Sequence, residues 1–457
     1  MKKIDNLIQY ANNNQLKFEQ DLFNCLKIPS ISTLKDHHSD IIDCAQYVKS
    51  HLEEIGLNNV ESFNGYGNPI LYADNGFNES LPTVLFYGHY DVQPVDPLHL
   101  WDTPPFSPTI RNDYIFARGA SDNKGMFYAQ LKAVETYFRV TGSCPINIKF
   151  LIEGEEEIGS NGLTRFIKDH QDLLSHDVML VSDNPKFSDD IPSVCKSIRG
   201  LVYLDVEVEA IKYDVHSGQL GGGVPNVIHY VSNCISSLKD PKTNKVLIPG
   251  FYDQVQIDGN SIEDFPDDTL DSLKTFYNLG EHANGDFFNN IWYLPTLDCN
   301  GILSGFTEDG AKTVIPAKAS FKLSSRLVHN QNPGDVLTLI KDYLESYFPA
   351  SFKVTVTQLG PLAKPMLVDT ENHFFKKAIQ ALELTHKKPI LVQGEGGSIP
   401  ILAEFQSLYK TPIILIGMNS PNDNIHAPNE RFKRSDYMDG IKAYINLIDL
   451  ISHGVTH

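Results

Sequence analysis

The chain has 457 residues, which exceeds one ordinary domain and points to two. Apolar residues make up 41%, enough for a sizeable core, and charged residues 21%, ordinary for a soluble protein. The formal net charge is -19, from 38 basic against 57 acidic residues, and without a basic stripe this disfavours nucleic acid as a partner.

The N-terminal stretch MKKIDNLIQYANNNQ has lysines but no apolar segment of the secretory type. Nor is there an apolar run of about 18 residues that could span a membrane. The expectation is a cytoplasmic protein with no membrane partner. Cys25, Cys44, Cys144, Cys195, Cys234 and Cys299 are scattered, without metal-type pairing. They are expected as buried, reduced thiols.

Up to about Leu57 the apolar residues have helical spacing, broken at KIPSIST, whose proline and serines mark a loop between two helices. TVLFYG, residues 83–88, is a short apolar run that predicts a buried strand. His89 follows at its carboxyl end, where ligands gather in open α/β sheets. Residues 124–139 predict a helix with Met126, Phe127, Val134, Tyr137 and Phe138 among its apolar positions. The strand INIKFLIE then runs into Glu155, Glu156 and Glu157, and the strand DVMLV runs into Asp183. An apolar strand followed by ligand-type residues thus occurs three times.

The pattern changes near Gly200. VYLDVEVE alternates Val202, Leu204, Val206 and Val208 with Tyr203, Asp205, Glu207 and Glu209, the mark of a half-exposed strand. A helix at 225–238, an irregular stretch at 240–300, the strand KASFKLSSRLV, a helix at 333–347 and the strand FKVTVTQL follow. A strand–helix–strand–strand–helix–strand order suggests an inserted α+β, ferredoxin-like domain at 201–361. Beyond it, a helix at 371–386, the strand TPIILIG and a helix at 434–452 return to the buried style. The expected fold class is α/β. A catalytic domain built from 1–200 and 362–457 has a mixed, mostly parallel sheet flanked by helices, and the insert is looped out of it.

Hydrolysing an amide near neutral pH needs a strong nucleophile and charge stabilisation at the carbonyl. Two divalent ions about 3.5–4 Å apart supply both. Such a site uses His and carboxylate ligands, one carboxylate shared, and a further carboxylate as general base. His89, Asp122, Glu157, Asp183 and His426 can be the ligands and Glu156 the base. Each also has a plainer reading: Asp122 as a helix cap, Asp183 as a turn residue, EGEEE as a solvated acidic face. The joint occurrence at strand ends is what favours a metal site. HExxH and CxxC are absent, which disfavours single-zinc protease and zinc-ribbon readings.

In order along the chain stand GHYDVQPV, WDTPPFSP, ARGASDNKG, EGEEEIGS, VSDN, HSG, AKTVIP, SSRLV, EGGSIP and NIHAPNE. With these the sequence resembles the dinuclear-zinc metallopeptidase family of carnosinase, cytosolic non-specific dipeptidase, succinyl-diaminopimelate desuccinylase and aminoacylase. The resemblance covers nearly the whole chain and is closest in the dipeptidase branch. It implies that His89, Asp122, Glu157, Asp183 and His426 bind two divalent ions per subunit, zinc first, with manganese or cobalt as alternatives. Asp122 bridges the ions, Asp91 orients His89, Glu155 is a bystander, and the Asp122–Asn123 peptide is cis. Glu156 is the general base and later proton donor for attack by a metal-bridged hydroxide. His216 polarises the scissile carbonyl, Arg326 holds the free C-terminal carboxylate of a small peptide, and Thr313 and Ser398 make further substrate contacts.

Two positions depart from the family pattern. Asn123 stands where a second aspartate is common, and Gly394 where an arginine is common. The insert is implied to be a lid and dimerisation domain in a homodimer, with His216 acting on its own or on its neighbour's site. The function so implied is a metal-dependent dipeptidase. The alternative is an N-acyl-amino-acid deacylase of desuccinylase or deacetylase type on the same site. A non-catalytic binding protein would lack the base or a ligand, and all are present.

Overall fold

A computed structural model of the chain describes residues 3–256, 271, 274, 279–280 and 287–453. It divides into two compact units, one of residues 1–196, 368–393 and 404–457, the other of 197–367 and 394–403. The stretch 201–361 lies inside the second unit, which also takes 394–403 from far along the chain.

The first unit is built on one large sheet. Its centre is four parallel strands in the order Asn147–Glu153, Thr83–His89, Val178–Val181, Ile413–Ile416. Antiparallel strands flank them: Ile70–Asp74 and Asn59–Phe63 on one side, Ser193–Ile198 on the other. The sheet is therefore mixed, as expected, with its parallel strands at the centre. Thr83–His89 and Val178–Val181 are buried at every position, as strands covered on both faces must be. Among the described residues before Leu57 there are three α-helices rather than two: Lys3–Asn13 and Gln15–Leu26, parted at Asn14, and His38–Glu54 beyond the expected break.

The helix Lys124–Thr141 is buried on every side from Lys124 to Tyr137. Such a helix needs its polar side chains paired. Lys124 donates to the carbonyls of Cys25 (3.1 Å) and Ile28 (2.8 Å). Lys132 reaches Asp21 (2.6 Å), Glu135 (2.8 Å) and His51 (2.7 Å). Asp21, His51 and Glu135 have the spacing of a metal-binding group, but the Lys132 ammonium already supplies their cation. The last helix, Arg434–Ser452, packs on this one, Tyr137 Oη donating to the Ile445 carbonyl at 3.0 Å.

The second unit carries a four-stranded antiparallel sheet in the order Thr296–Ser304, Lys318–Leu327, Gly200–Glu209, Lys353–Gln358. The helices Val227–Leu238 and Pro333–Tyr347 cover one face. Val202, Leu204, Val206 and Val208 turn into that core with Phe321, Leu323, Val231 and Ile340. The alternate positions of Gly200–Glu209 stay half-buried or exposed, so one sheet face is open. The stretch 240–300, expected to be irregular, lies partly outside the described residues, and its last part is the edge strand Thr296–Ser304. Five of the six cysteines are buried free thiols, but Cys299, expected buried, is exposed on that edge strand. Among the described residues no helix is long and apolar enough to cross a membrane.

Candidate metal centre and substrate contacts

Parallel strands bring their carboxyl ends to one edge of the sheet, and the acidic residues collect there. His89 ends Thr83–His89 and is paired in register with Glu153. Glu156 and Glu157 sit in a single 3-10 turn after Asn147–Glu153, and Asp183 follows Val178–Val181. Asp122 precedes the helix Lys124–Thr141 across a cis Asp122–Asn123 peptide, as the resemblance implies. His426 lies in a loop with φ 61°, left-handed backbone that is uncommon for a side-chain-bearing residue.

These residues form two groups. His89, Asp122 and Asp183 can bring ligand atoms within 4.8 Å of one another, and so can Asp122, Glu157 and His426. Asp122 belongs to both. One of its oxygens is 3.2 Å from His89 Nε2, and the other is 2.9 Å from His426 Nε2. His89 Nε2 and Glu157 Oε1 are buried without a hydrogen-bond partner among the described residues. Buried polar atoms are rarely left so unless an ion or water meets them. Nitrogen and carboxylate donors in two groups with one shared carboxylate fit a pair of divalent cations.

The electrostatics reflect how closely these charges are gathered in a buried place. Burial raises Glu156 well above the ordinary carboxylate value; Asp183, Glu157 and Asp122 add to this against the pull of His89. Burial also raises Glu157 and Asp183. Burial alone would lower His89, but Asp122, Asp183 and Asp91 outweigh it and hold the ring well above its usual value. Hydrogen bonds to Asp122 and Glu157 push His426 up to about 10. The Glu156 carboxylate accepts no hydrogen bond among the described residues, so its lone pairs are free for a proton.

Supporting residues surround the cluster. Asp91 is wholly buried, with Oδ1 3.3 Å from His89 Nδ1. Glu155 is occupied elsewhere, accepting from the backbone N–H groups of Asn68 (3.0 Å) and Gly162 (3.1 Å). Two further contacts were not legible in the sequence, although Asn123 itself stood out there. Asn123 donates from Nδ2 to Asp183 Oδ1 at 3.0 Å, a bond that the aspartate common at that position could not make in its ionised form. Gln93 donates to Glu157 Oε2 at 2.7 Å. The motif GHYDVQPV held Gln93, but nothing in its spacing separates a ligand-orienting amide from a loop residue.

The second unit holds the other expected residues. His216 pairs in a short ladder with Val314, and its Nδ1 accepts the Gly218 N–H at 2.9 Å. That bond leaves the proton on Nε2, which lies 3.3 Å from Thr313 Oγ1. Arg326 is half-buried on Lys318–Leu327 and donates from Nη1 to Ser398 Oγ at 2.8 Å. Ser398 in turn donates to the Arg199 carbonyl at 2.5 Å. Ser398 was expected in the catalytic domain with the rest of 362–457, but these bonds tie it into the second unit. Arg199, also not foreseen, donates from Nε to the Gly396 carbonyl at 3.1 Å; burial and then Arg326 push it down to about 10. A Cβ on Gly394 would come within 2.6 Å of Trp292 Cβ and 2.9 Å of Tyr293 Cε1. No arginine fits there without moving those aromatics.

Comparison with known proteins follows this geometry. The model of "Peptidase family M20/M25/M40" matches residues 85–450. The chain is 31% identical over 397 residues to the Beta-Ala-His dipeptidase of Homo sapiens, spanning 82% of this chain and 76% of that protein. It is 29% identical over 466 residues to the Cys-Gly metallodipeptidase dug1 of Schizosaccharomyces pombe, spanning 97% and 98%. Among solved structures, the di-peptidase Dug1p of Saccharomyces cerevisiae superposes with a TM-score of 0.85 at 26% identity, over 100% of both chains.

Proposed function

The chain belongs to peptidase family M20/M25/M40, and from that premise we propose that it is a metal-dependent dipeptidase cleaving small peptides with a free C-terminal carboxylate. The observation that carries the proposal is the sharing of Asp122 between the two donor groups. The relatives named as Beta-Ala-His dipeptidase and Cys-Gly metallodipeptidase favour a dipeptide over an N-acyl amino acid.

In this reading His89, Asp122 and Asp183 would hold one divalent ion, and Asp122, Glu157 and His426 would hold the other, zinc first. When bound, such a pair supplies Lewis acidity toward the carbonyl and lowers the pKa of a water. Everything else is done by side chains. Glu156, which lies outside both donor groups, takes the proton of the attacking water and delivers it to the departing amine. His216, with its proton on Nε2, donates to the carbonyl oxygen as charge develops there. Arg326 receives the C-terminal carboxylate, two parallel N–H groups matching two oxygens. Thr313 and Ser398 hold His216 and Arg326 in place for contact with the peptide.

A homodimer in the cytosol completes the proposal. The outer edge of Thr296–Ser304 has no partner strand among the described residues, and it exposes Ile302 and Leu303 by 59% and 64%. Sheet edges of this kind pair readily with another copy.

The test is hydrolysis by metal-stripped protein reloaded with zinc or manganese. The panel holds free dipeptides, the same dipeptides amidated at the C-terminus, and N-acetyl and N-succinyl amino acids. Metal-dependent cleavage of the free dipeptides is expected, with only weak cleavage of the amidated dipeptides and none of the N-acyl amino acids. Turnover of the N-acyl amino acids alone would replace the dipeptidase by a deacylase, and dipeptide binding without turnover under full metal loading would replace it by a binding protein.

A further inference from the structure

NIHAPNE ends in a glutamate to which neither ligation nor proton transfer gives a task. Glu430 is wholly buried, and four donors converge on its carboxylate. One oxygen accepts the backbone N–H groups of Ser121 (2.9 Å) and Asp122 (3.0 Å). The other accepts the N–H of Gly119 (3.0 Å) and Nη1 of Arg118 (2.7 Å). Its own carbonyl accepts from the N–H of Ala117 at 3.1 Å. The loop 117–122, which delivers Asp122, is thus wrapped around one side chain. That side chain stands four residues after His426, whose ring meets Asp122 at 2.9 Å. Asn429 anchors the same stretch from the other side, accepting from Asp102 N–H at 2.9 Å and donating to the Leu100 carbonyl at 3.0 Å.

We infer that Glu430 is a positioning residue for the metal pair: its carboxylate fixes the spacing between Asp122 and His426 by gripping the backbone of one from the loop of the other. The inference rests on the metal-dependent reading above. The requirement is for a carboxylate and not just a polar group. Both oxygens face donors only, so a glutamine amide would turn N–H against N–H whichever way it pointed. An aspartate keeps the charge but falls short by one methylene. Arg118 neutralises the buried charge, and it also donates to the Pro94 carbonyl at 2.8 Å, so the ion pair is itself held in place. Supports that orient ligands without touching the ion change metal affinity by about 10–100-fold when removed.

The experiment compares wild type, Glu430→Gln and Glu430→Asp, each stripped and titrated with zinc. The readouts are stoichiometry and affinity, the visible spectrum of the cobalt(II)-loaded protein, and far-UV circular dichroism. Wild type binding two equivalents is the control; if it binds none, the metal-dependent reading fails before the inference is reached. The expected result for Glu430→Gln is a native-like fold, at least one equivalent bound about 10-fold or more weakly, and an altered cobalt spectrum. Glu430→Asp is expected to lie between the two. Wild-type affinity and an unchanged spectrum in Glu430→Gln, with only thermal stability lowered, would overturn the inference and leave Glu430 a packing residue. Should Glu430→Gln not fold, Glu430→Asp decides alone: a weakened equivalent and a changed spectrum support positioning, and wild-type values for both sink it.

Discussion

Oδ1 of Asp91 lies 3.3 Å from Nδ1 of His89, and the same carboxylate accepts the backbone N–H groups of Glu156 (3.2 Å) and Glu157 (3.1 Å). His89 Nδ1 is also 3.1 Å from the Asp91 backbone carbonyl, so Asp91 holds the ligand ring through main chain and side chain while its buried anion fixes the turn that bears the general base. Asp91→Asn would put an amide N–H against at least one of those donors. The expected outcome is a loss of about 10–100-fold in kcat/KM together with weaker metal retention. Steady-state kinetics beside metal analysis after dialysis checks both.

Glu156 offers a sharper separation. Its carboxylate is outside both donor groups, so Glu156→Gln should keep two equivalents of metal. Activity should fall by about 100–10,000-fold, the usual share of a positioned base. Loss of metal in this variant would make Glu156 a ligand and require another base.

Arg326 is expected to act on KM. Losing hydrogen bonds to a charged partner costs about 1.5–3 kcal/mol, which is roughly 10–150-fold. Arg326→Met should raise KM for free dipeptides by that factor and leave the weak cleavage of amidated dipeptides unchanged. Equal losses on both substrates would show that the arginine does not read the carboxylate.

Much of this was legible because burial writes itself into the sequence. Strands covered on both faces gave continuous apolar runs, and those with one open face gave strict alternation, as in Gly200–Glu209. The helix Pro333–Tyr347 begins and ends where its pattern does. Thr296–Ser304 was illegible for the converse reason. It is exposed at every position from Asp298 to Leu303 and carries a bulge between Cys299 and Gly301, so no period survives. The contacts of Asn123, Gln93 and Glu430 were hidden differently: these residues act on backbone groups or on other side chains, and such partners leave no spacing to read. Arg199 and Ser398 meet only through the fold, nearly 200 residues apart.

The Lys132 cluster gives stability a pH dependence independent of the metal centre. Burial, and then the adjacent Lys132 ammonium, lower His51 to about 4. An unfolded histidine titrates near 6.5, so between these values the unfolded chain binds a proton that the folded one refuses. His51 therefore costs nothing above about pH 6.5 and destabilises progressively as pH falls toward 4. His51→Gln, which can still accept from Lys132, should flatten the fall in Tm across that window and change little at pH 8. Thermal melts of metal-stripped protein at several pH values test this; an unchanged acid limb would assign acid sensitivity to other groups.

The edge strand predicts the assembly. Replacing Ile302 and Leu303 by lysine puts charges where natural sheet edges carry them to prevent pairing. Sedimentation of the wild type should give a dimer, and the double variant should shift it to a monomer with unchanged circular dichroism. A wild-type monomer, or a double variant that stays dimeric, would move the interface elsewhere.

The place of Ile413–Ile416 bears on how the protein is made. This strand lies between Val178–Val181 and Ser193–Ile198, yet it follows the latter on the chain by more than two hundred residues. At about 5–20 residues per second, a ribosome leaves that gap open for on the order of 10–40 s. Throughout that interval the nascent chain carries two unfilled strand edges in the middle of its most apolar sheet, open to any other extended chain nearby. Expression yield should therefore respond to chaperones that shield unfinished chains, and truncations before residue 413 should aggregate rather than yield a smaller soluble domain.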